Sequence, residues 1–298
     1  VIRLAEEVRE ACSAGAAVVA LETTLVAHGF PPGEGVEVAL DAERQVREAG
    51  AVPATVGVLD GCVRVGLTPN ELARFGPDAR KVGPRDLAPA AVQGALGATT
   101  VGGTLAVARA AGIRVLATGG IGGVHRGFPD PPDISADLAQ LARAPALVVS
   151  AGAKSLLDVP ATAELLESLG VPVLGFRTDT LPLFYAAAGG PPVSARVASV
   201  QEAARIAEAH WQLGGAGLLL ARPPDEPLED VEPLIGEALQ AAAAAGVSGQ
   251  AVTPYVLASL HRASGGRTEQ ANKALVAGNA RLAGEVAVEL AGSGRQSP

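Results

Sequence analysis

The sequence predicts an α/β fold, one large domain around a mostly parallel sheet with a helical C-terminal part. Three observations predict it. Apolar runs of strand length, at 16–21, 54–59, 114–117, 146–150, 172–175 and 217–221, alternate with helical patterns of roughly ten to fifteen residues, the signature of βαβ units. Aromatic residues are only 3% of the chain while Ala and Gly are abundant, so the core is expected to be aliphatic, with closely packed helices and parallel strands. The 298 residues are 48% hydrophobic and 18% charged, a globular composition long enough to bury a large core. No linker, low-complexity tract or fixed-period repeat interrupts it. Pro223 to Pro227 is the most linker-like piece and too short to separate two domains, so one domain is expected over 1–298.

In chain order, residues 3–14 read as a short amphipathic helix with Leu4, Val8 and Ala11 on one face. A buried strand at 16–21 ends in Glu22-Thr23-Thr24, where residue type alone favours a carboxylate pointing into solvent. His28-Gly29 with Pro31-Pro32-Gly33 makes this end a loop, where functional groups concentrate. Helix Glu34 to Ala49 leads to strand 54–59, and Gly61 followed by an alternating run suggests a hairpin return. Thr68-Pro69-Asn70-Glu71 supplies a cap, a first-turn proline and a Glu three residues after the cap, a helix start. Lys81 and Arg85 then lie in a loop before a helix expected near Asp86, a plausible anion site. Gly97 to Val101 leads into a helix at 104–111. From Asp230 to Leu290 the chain reads as almost wholly helical, with Thr253-Pro254 marking one start.

Composition excludes several function classes. A formal net charge of −8 argues against a phosphate-backbone footprint for nucleic acid, though a phosphorylated small molecule needs only local positive charge. Cys12 and Cys62 are too few for a disulfide framework, the N-terminal stretch has no signal-peptide pattern, and no run has the length of a membrane span. A cytoplasmic protein is expected.

Ligands of open parallel sheets sit beyond the carboxyl ends of strands. Four special segments meet that condition: Glu22, the glycines after Thr118, Asp133 with Asp137, and Lys154. Gly119-Gly120-Ile121-Gly122-Gly123 lacks the spacing, the following helix and the acidic strand end of a dinucleotide fingerprint. It reads either as a backbone approach to a ligand or as a tight turn. Asp133 and Asp137 would share one face if their segment is helical. They suit a hard divalent cation, or one of the two, or Ser135, caps a helix. Lys154 is one of only three lysines and directly follows a buried apolar run. A desolvated amine is a nucleophile able to form a Schiff base, and the alternative is a strand-end lysine whose stem covers apolar surface. His125-Arg126 can bind a phosphate or lie exposed. Asn272 and Asn279 on the last helix are inter-helix hydrogen bonders or ligand contacts, and Trp211 and Tyr185 read as packing.

Together these segments resemble the pseudouridine-5′-phosphate glycosidase family, also described as indigoidine-synthase-A-like. The resemblance rests on ALETTLVAHGFP (20–31), AVPATVGVLDG (51–61), the Lys81-Val82 and Arg85-Asp86-Leu87 frame, GATTV (97–101), ATGGIGGVHRG (117–127), DISADL (133–138), SAGAKSLLD (150–158) and TPYVLA (253–258), nearly the whole chain in family order. It implies an α/β/α sandwich, homotrimers, and reversible cleavage of the C–C glycosidic bond of pseudouridine 5′-phosphate to uracil and ribose 5-phosphate. By the same resemblance Lys154 is the nucleophile, Glu22 the proton donor and Asp133 the Mn²⁺-associated aspartate. Ser135, Ala136, Asp137, Lys81 and Val101 contact substrate, and His125 and Asn272 lie near the phosphate or reacting sugar. The chain has no room for the sugar-kinase domain some relatives carry, so a pseudouridine kinase would be a separate protein. The sequence departs from the family pattern at Gly83-Pro84, in the proline-rich stretch 128–132 and at Gly278, none of which touches Glu22, Asp133 or Lys154. The alternatives are another Schiff-base sugar-phosphate lyase or aldolase, and a non-catalytic nucleotide-binding sensor.

Overall fold

The computed structural model describes residues 1–293 apart from Pro32, Pro131 and Glu229, and the backbone alone of Gln250. The expected turn at 31–33, the proline-rich stretch 128–132 and the end of the 1–298 domain therefore fall partly outside the described residues.

One 11-stranded sheet organises the chain. Its order runs Ile2–Leu4, Cys62–Val65, Val52–Leu59, Val18–Leu21, Val115–Ala117, Leu147–Ser150, Leu218–Ala221, Val173–Phe176, Ala195–Val197. Every pair from Val52–Leu59 to Ala195–Val197 is parallel. Gly97–Thr99 adds antiparallel to Val52–Leu59 and carries Arg80–Val82 parallel to itself.

A parallel sheet needs cover on both faces, and residues alternate along each strand between two cores. Val19, Leu21, Val115, Ala117, Leu147 and Val149 pack with Val46, Ala203, Val276 and Ala280, from helices Glu34–Glu48, Val200–Gln212 and Arg267–Ser293. Val18, Ala20, Leu116 and Val148 pack with Val8, Leu105, Leu138 and Leu166, from helices Glu6–Ser13, Val101–Ala111, Ala136–Leu141 and Val159–Ser168. The result is the expected α/β/α sandwich, its last part helical from Glu232 onward. Among the described residues no helix is long and apolar enough to cross a membrane.

Several boundaries differ from the sequence reading. The expected 3–14 helix is a strand, Ile2–Leu4, followed by helix Glu6–Ser13, because the first residues pair with Val63–Val65. The stretch after Glu22 is a short helix, Thr24–His28. Lys81 lies on strand Arg80–Val82, not in a loop. The helix expected at 104–111 starts at Val101, because the Thr100 hydroxyl accepts the Gly103 N–H at 3.1 Å and so caps it. The hairpin return stands: Asp60 and Gly61 both take positive φ, as a tight two-residue turn requires.

Candidate active site

The Val18–Leu21 strand is where the chain changes direction across the sheet. Its successor, Val52–Leu59, lies on one side, and Val115–Ala117 lies on the other. Such a switch point opens a crevice at the carboxyl ends of the two strands. Leu21 pairs with Ala117, so the next residues, Glu22 and Thr118, emerge side by side, and the Thr118 hydroxyl donates to Glu22 Oε1 at 2.5 Å. Both are buried. The adjoining Leu147–Ser150 strand delivers Lys154 to the same crevice.

The nucleophile candidate is presented by a pinned turn. The Ser150 hydroxyl accepts the Gly152 N–H at 3.1 Å, and the Lys154 N–H donates to the Ile121 carbonyl at 3.0 Å. Gly152 has φ +84°, and a Cβ there would lie 2.3 Å from the Pro182 carbonyl oxygen, so this corner requires glycine. Ala151 and Ala153 are fully buried on either side. Lys154 alone of this run reaches the cavity.

The crevice divides into two chambers. The outer one, about 710 Å³, is lined by Glu22, Lys81, His125, Lys154 and the run from Asp133 to Asp137. The inner one, about 50 Å³, shares Glu22, Lys81 and Lys154 and adds Thr118, Phe184 and Asn272. The structure thus brings together every expected site residue except Val101. Val101 is fully buried in the core and lines neither chamber. Thr100 lines the outer chamber in its place.

Asp133 and Asp137 do not share a helix face, which corrects the spacing argument. Ser135 is the cap of helix Ala136–Leu141, accepting the Asp137 N–H at 3.2 Å, and Asp133 precedes the helix. Asp137 is buried and its two oxygens accept the N–H groups of Gly102 at 2.7 Å and Gly122 at 2.8 Å. It ties the start of the Val101 helix to the glycine loop. Gly122 lines the outer chamber and Gly119 and Gly120 the inner one, and packing also demands glycine there: a Cβ at Gly122 would lie 2.3 Å from Ser135 Oγ, at Gly123 2.4 Å from Thr162 Oγ1, and at Gly120 2.7 Å from the Phe184 ring. Asp137→Ala is expected to cost about 3 kcal/mol, because two buried N–H groups lose a charged acceptor. Chemical denaturation measures it, and a loss within about 0.5 kcal/mol of zero, the range of a surface substitution, would contradict the clamp.

Burial raises the Glu22 carboxyl above its ordinary range, with Asp137 adding to it, against the Lys154 charge, the Thr118 hydrogen bond and Lys81. Burial lowers the Lys81 amine and the Lys154 charge lowers it further, against Asp137, Glu22 and Asp133. His125 is lowered by burial despite Asp133, whose carboxylate lies 3.8 Å from its Nδ1. Burial that favours the acid form of Glu22 and the neutral form of His125 in one crevice suits proton transfer.

The donor set decides what metal fits. No cluster of three or more His, Cys, Asp or Glu able to hold a metal exists among the described residues. Asp137 is engaged by backbone, which leaves the half-exposed Asp133 as the carboxylate open to a cation. Asp133 would suit a hard ion that keeps most of its waters, not an all-protein cage.

Arg126 does not face the cavity. It donates to the Ser155 carbonyl at 3.0 Å and the Leu157 carbonyl at 3.3 Å and pairs with Glu232 at 2.7 Å, bracing the lysine turn. Asn279, fully buried, donates to the Thr118 carbonyl at 2.8 Å, whereas Asn272 lines the inner chamber. Sequence reading missed Thr118 and Phe184. Thr118 could have been found only from strand register. Phe184, at φ +65°, carries no local signal, since a bulky residue there is an exception to backbone preference.

The chain matches the family described as "Indigoidine synthase A like protein" over residues 7–289. A pseudouridine-5′-phosphate glycosidase of Chloroflexus aurantiacus is 48% identical, with 97% of this chain and 98% of the relative covered. One of Myxococcus xanthus is 47% identical, with 97% and 98% covered. Among solved structures, the prealnumycin C-glycosynthase AlnA in complex with ribulose 5-phosphate superposes with a TM-score of 0.90 at 43% identity, covering 100% of this chain and 99% of that one. An indigoidine synthase A-like protein of Thermotoga maritima superposes at 0.86 and 38% identity, covering 98% and 97%.

Proposed function

The chain belongs to the indigoidine synthase A like family, and we propose that it is an enzyme that reversibly cleaves the C–C glycosidic bond of pseudouridine 5′-phosphate, giving uracil and ribose 5-phosphate. The observation that carries the reading is a lysine and a buried, protonation-prone glutamate meeting at the switch point of a chain similar throughout its length to such glycosidases.

The chemistry follows from the bond. A C–C link offers no heteroatom to protonate, so the leaving carbon must be expelled by electrons supplied at C1′. The Lys154 amine attacks C1′ and the ring oxygen leaves, taking a proton from Glu22, so the ribose opens on the lysine. Glu22, now a carboxylate, takes a proton from the attacking nitrogen and delivers it to uracil C5, and the freed nitrogen lone pair breaks the C1′–C5 bond as an iminium forms. Water hydrolyses the iminium, releasing ribose 5-phosphate and the free amine. Lys81, His125, Ser135 and Ala136 hold the phosphate and sugar, Asp137 and the buried Val101 order the surrounding loops, and Asn272 faces the inner chamber. Mn²⁺ at Asp133 would supply positive charge against the phosphate. We extend the reading to a cytoplasmic homotrimer served by a separate pseudouridine kinase, the assembly being open to test by light scattering.

Incubation with pseudouridine 5′-phosphate and Mn²⁺ is expected to release uracil and ribose 5-phosphate in equal amounts, and chelation to suppress turnover. Wild type that forms neither product would sink the reading. Turnover undiminished by chelator would remove the metal from it and leave the lysine chemistry standing.

A further inference from the structure

Glu22 Oε1 accepts the Thr118 hydroxyl at 2.5 Å, in a pocket where both residues are buried. A hydroxyl that donates to one oxygen of a carboxylic acid favours the carbonyl form of that oxygen, the better acceptor, and so favours the acid proton on the other. Thr118 is itself held from behind. Its N–H donates to the Val149 carbonyl at 3.0 Å, and its carbonyl accepts Asn279 Nδ2 at 2.8 Å, with Gly119 at 3.3 Å sharing the same amide. Asn279 is fully buried on the long C-terminal helix, so the amide is locked by packing.

We propose that Thr118 is a positioning residue that fixes the acid proton of Glu22 on Oε2, and that Asn279 holds Thr118 in place to do so. The proposal rests on the glycosidase reading for what the proton is used for. In the acid step the proton leaves Oε2 for the departing ring oxygen and Glu22 becomes a carboxylate. The Thr118 O–H stays on Oε1 throughout and strengthens as the charge develops, since hydrogen bonds to ionised acceptors are the stronger ones. It therefore favours the step as well as aiming it. The charged groups that also face Glu22 are Lys154 and Lys81, which favour the carboxylate, and Asp137, which opposes it. Thr118 selects between the two oxygens by its hydrogen bond to Oε1.

Thr118→Val keeps the shape and removes the donor. It is expected to lower kcat about ten- to hundredfold with KM changed much less, the size of one charge-assisted hydrogen bond. The high-pH limb of kcat should move to higher pH, because loss of the donor disfavours the carboxylate. Thr118→Ser should restore both, and Asn279→Ala should lose rate without adding to Thr118→Val in the double variant. Should Thr118→Val fail to fold, Thr118→Ala carries the same expectation. Infrared titration of the Glu22 carboxyl, assigned with Glu22→Gln, gives an arm independent of turnover: the wild-type midpoint should lie below that of the Thr118 variant. An inactive wild type with that infrared difference contradicts the glycosidase reading and not the positioning. An active wild type matched by Thr118→Val in rate and pH limb, or an unmoved infrared midpoint, overturns the proposal.

Discussion

Lys154→Ala should abolish turnover of pseudouridine 5′-phosphate, with kcat falling by about four orders of magnitude or more, the scale of removing a covalent nucleophile. The reason lies in the bond to be broken. Proton transfer alone cannot expel a carbon leaving group from C1′, so an acid left without its amine has no route to product. The turn that carries Lys154 is fixed by Ser150, Gly152 and the Ile121 carbonyl, none of which involves the lysine side chain. Stability should therefore stay within about 0.5 kcal/mol of wild type, as for substitutions away from core features. Lys154→Arg should be equally inactive, because a guanidinium keeps the charge and cannot be deprotonated. Activity in either variant above about one per cent of wild type, far more than a lost nucleophile leaves behind, would contradict a covalent lysine.

Glu22→Gln should lower kcat by about two to four orders of magnitude, the usual contribution of a positioned general acid. The amide fills the same space and still accepts from Thr118, so the pocket is preserved and only the transferable proton is lost. The pH dependence separates this from a binding defect. Burial holds the Glu22 pKa above the ordinary carboxylate value, so the acid form persists to higher pH than an exposed glutamate would allow. Activity that needs that proton falls as pH rises through the raised pKa. In Glu22→Gln this limb should disappear and the residual rate should be flat there. A limb unchanged in the variant would assign it to another group, with His125 and Lys81, both lowered by burial, the neighbours to examine.

Much of the fold was legible because the strands are short, apolar and bounded by turns, and because a parallel sheet buries both faces and leaves little polar interruption. Capping chemistry identified the Thr68 helix start, where Thr68 and Glu71 exchange hydrogen bonds. The failures share a cause. Ile2–Leu4, Arg80–Val82 and Gly97–Thr99 are three-residue strands whose existence depends on a partner elsewhere in the chain, and no periodicity can register over so few positions.

The site divides in the same way. Glu22 and Lys154 were conspicuous as ionisable residues ending apolar runs, which burial makes costly without a purpose. The glycine cluster was conspicuous too, and Gly119, Gly120 and Gly122 do line the crevice, but the crowding of Gly120, Gly122 and Gly123 by Phe184, Ser135 and Thr162 could come only from the fold. Asp137 looked like a ligand for metal or substrate, and only the fold places two backbone N–H groups on its carboxylate. Thr118 was unreadable as a partner of Glu22 because 96 residues separate them and strand order sets their contact.

Borohydride reduction during turnover of pseudouridine 5′-phosphate, followed by peptide mass mapping, tests the central claim most directly. A pentitol phosphate lacking the base, attached to Lys154 and to no other residue, is the predicted adduct. Product formation with no adduct on Lys154, or with the sugar trapped on Lys81 instead, would contradict it.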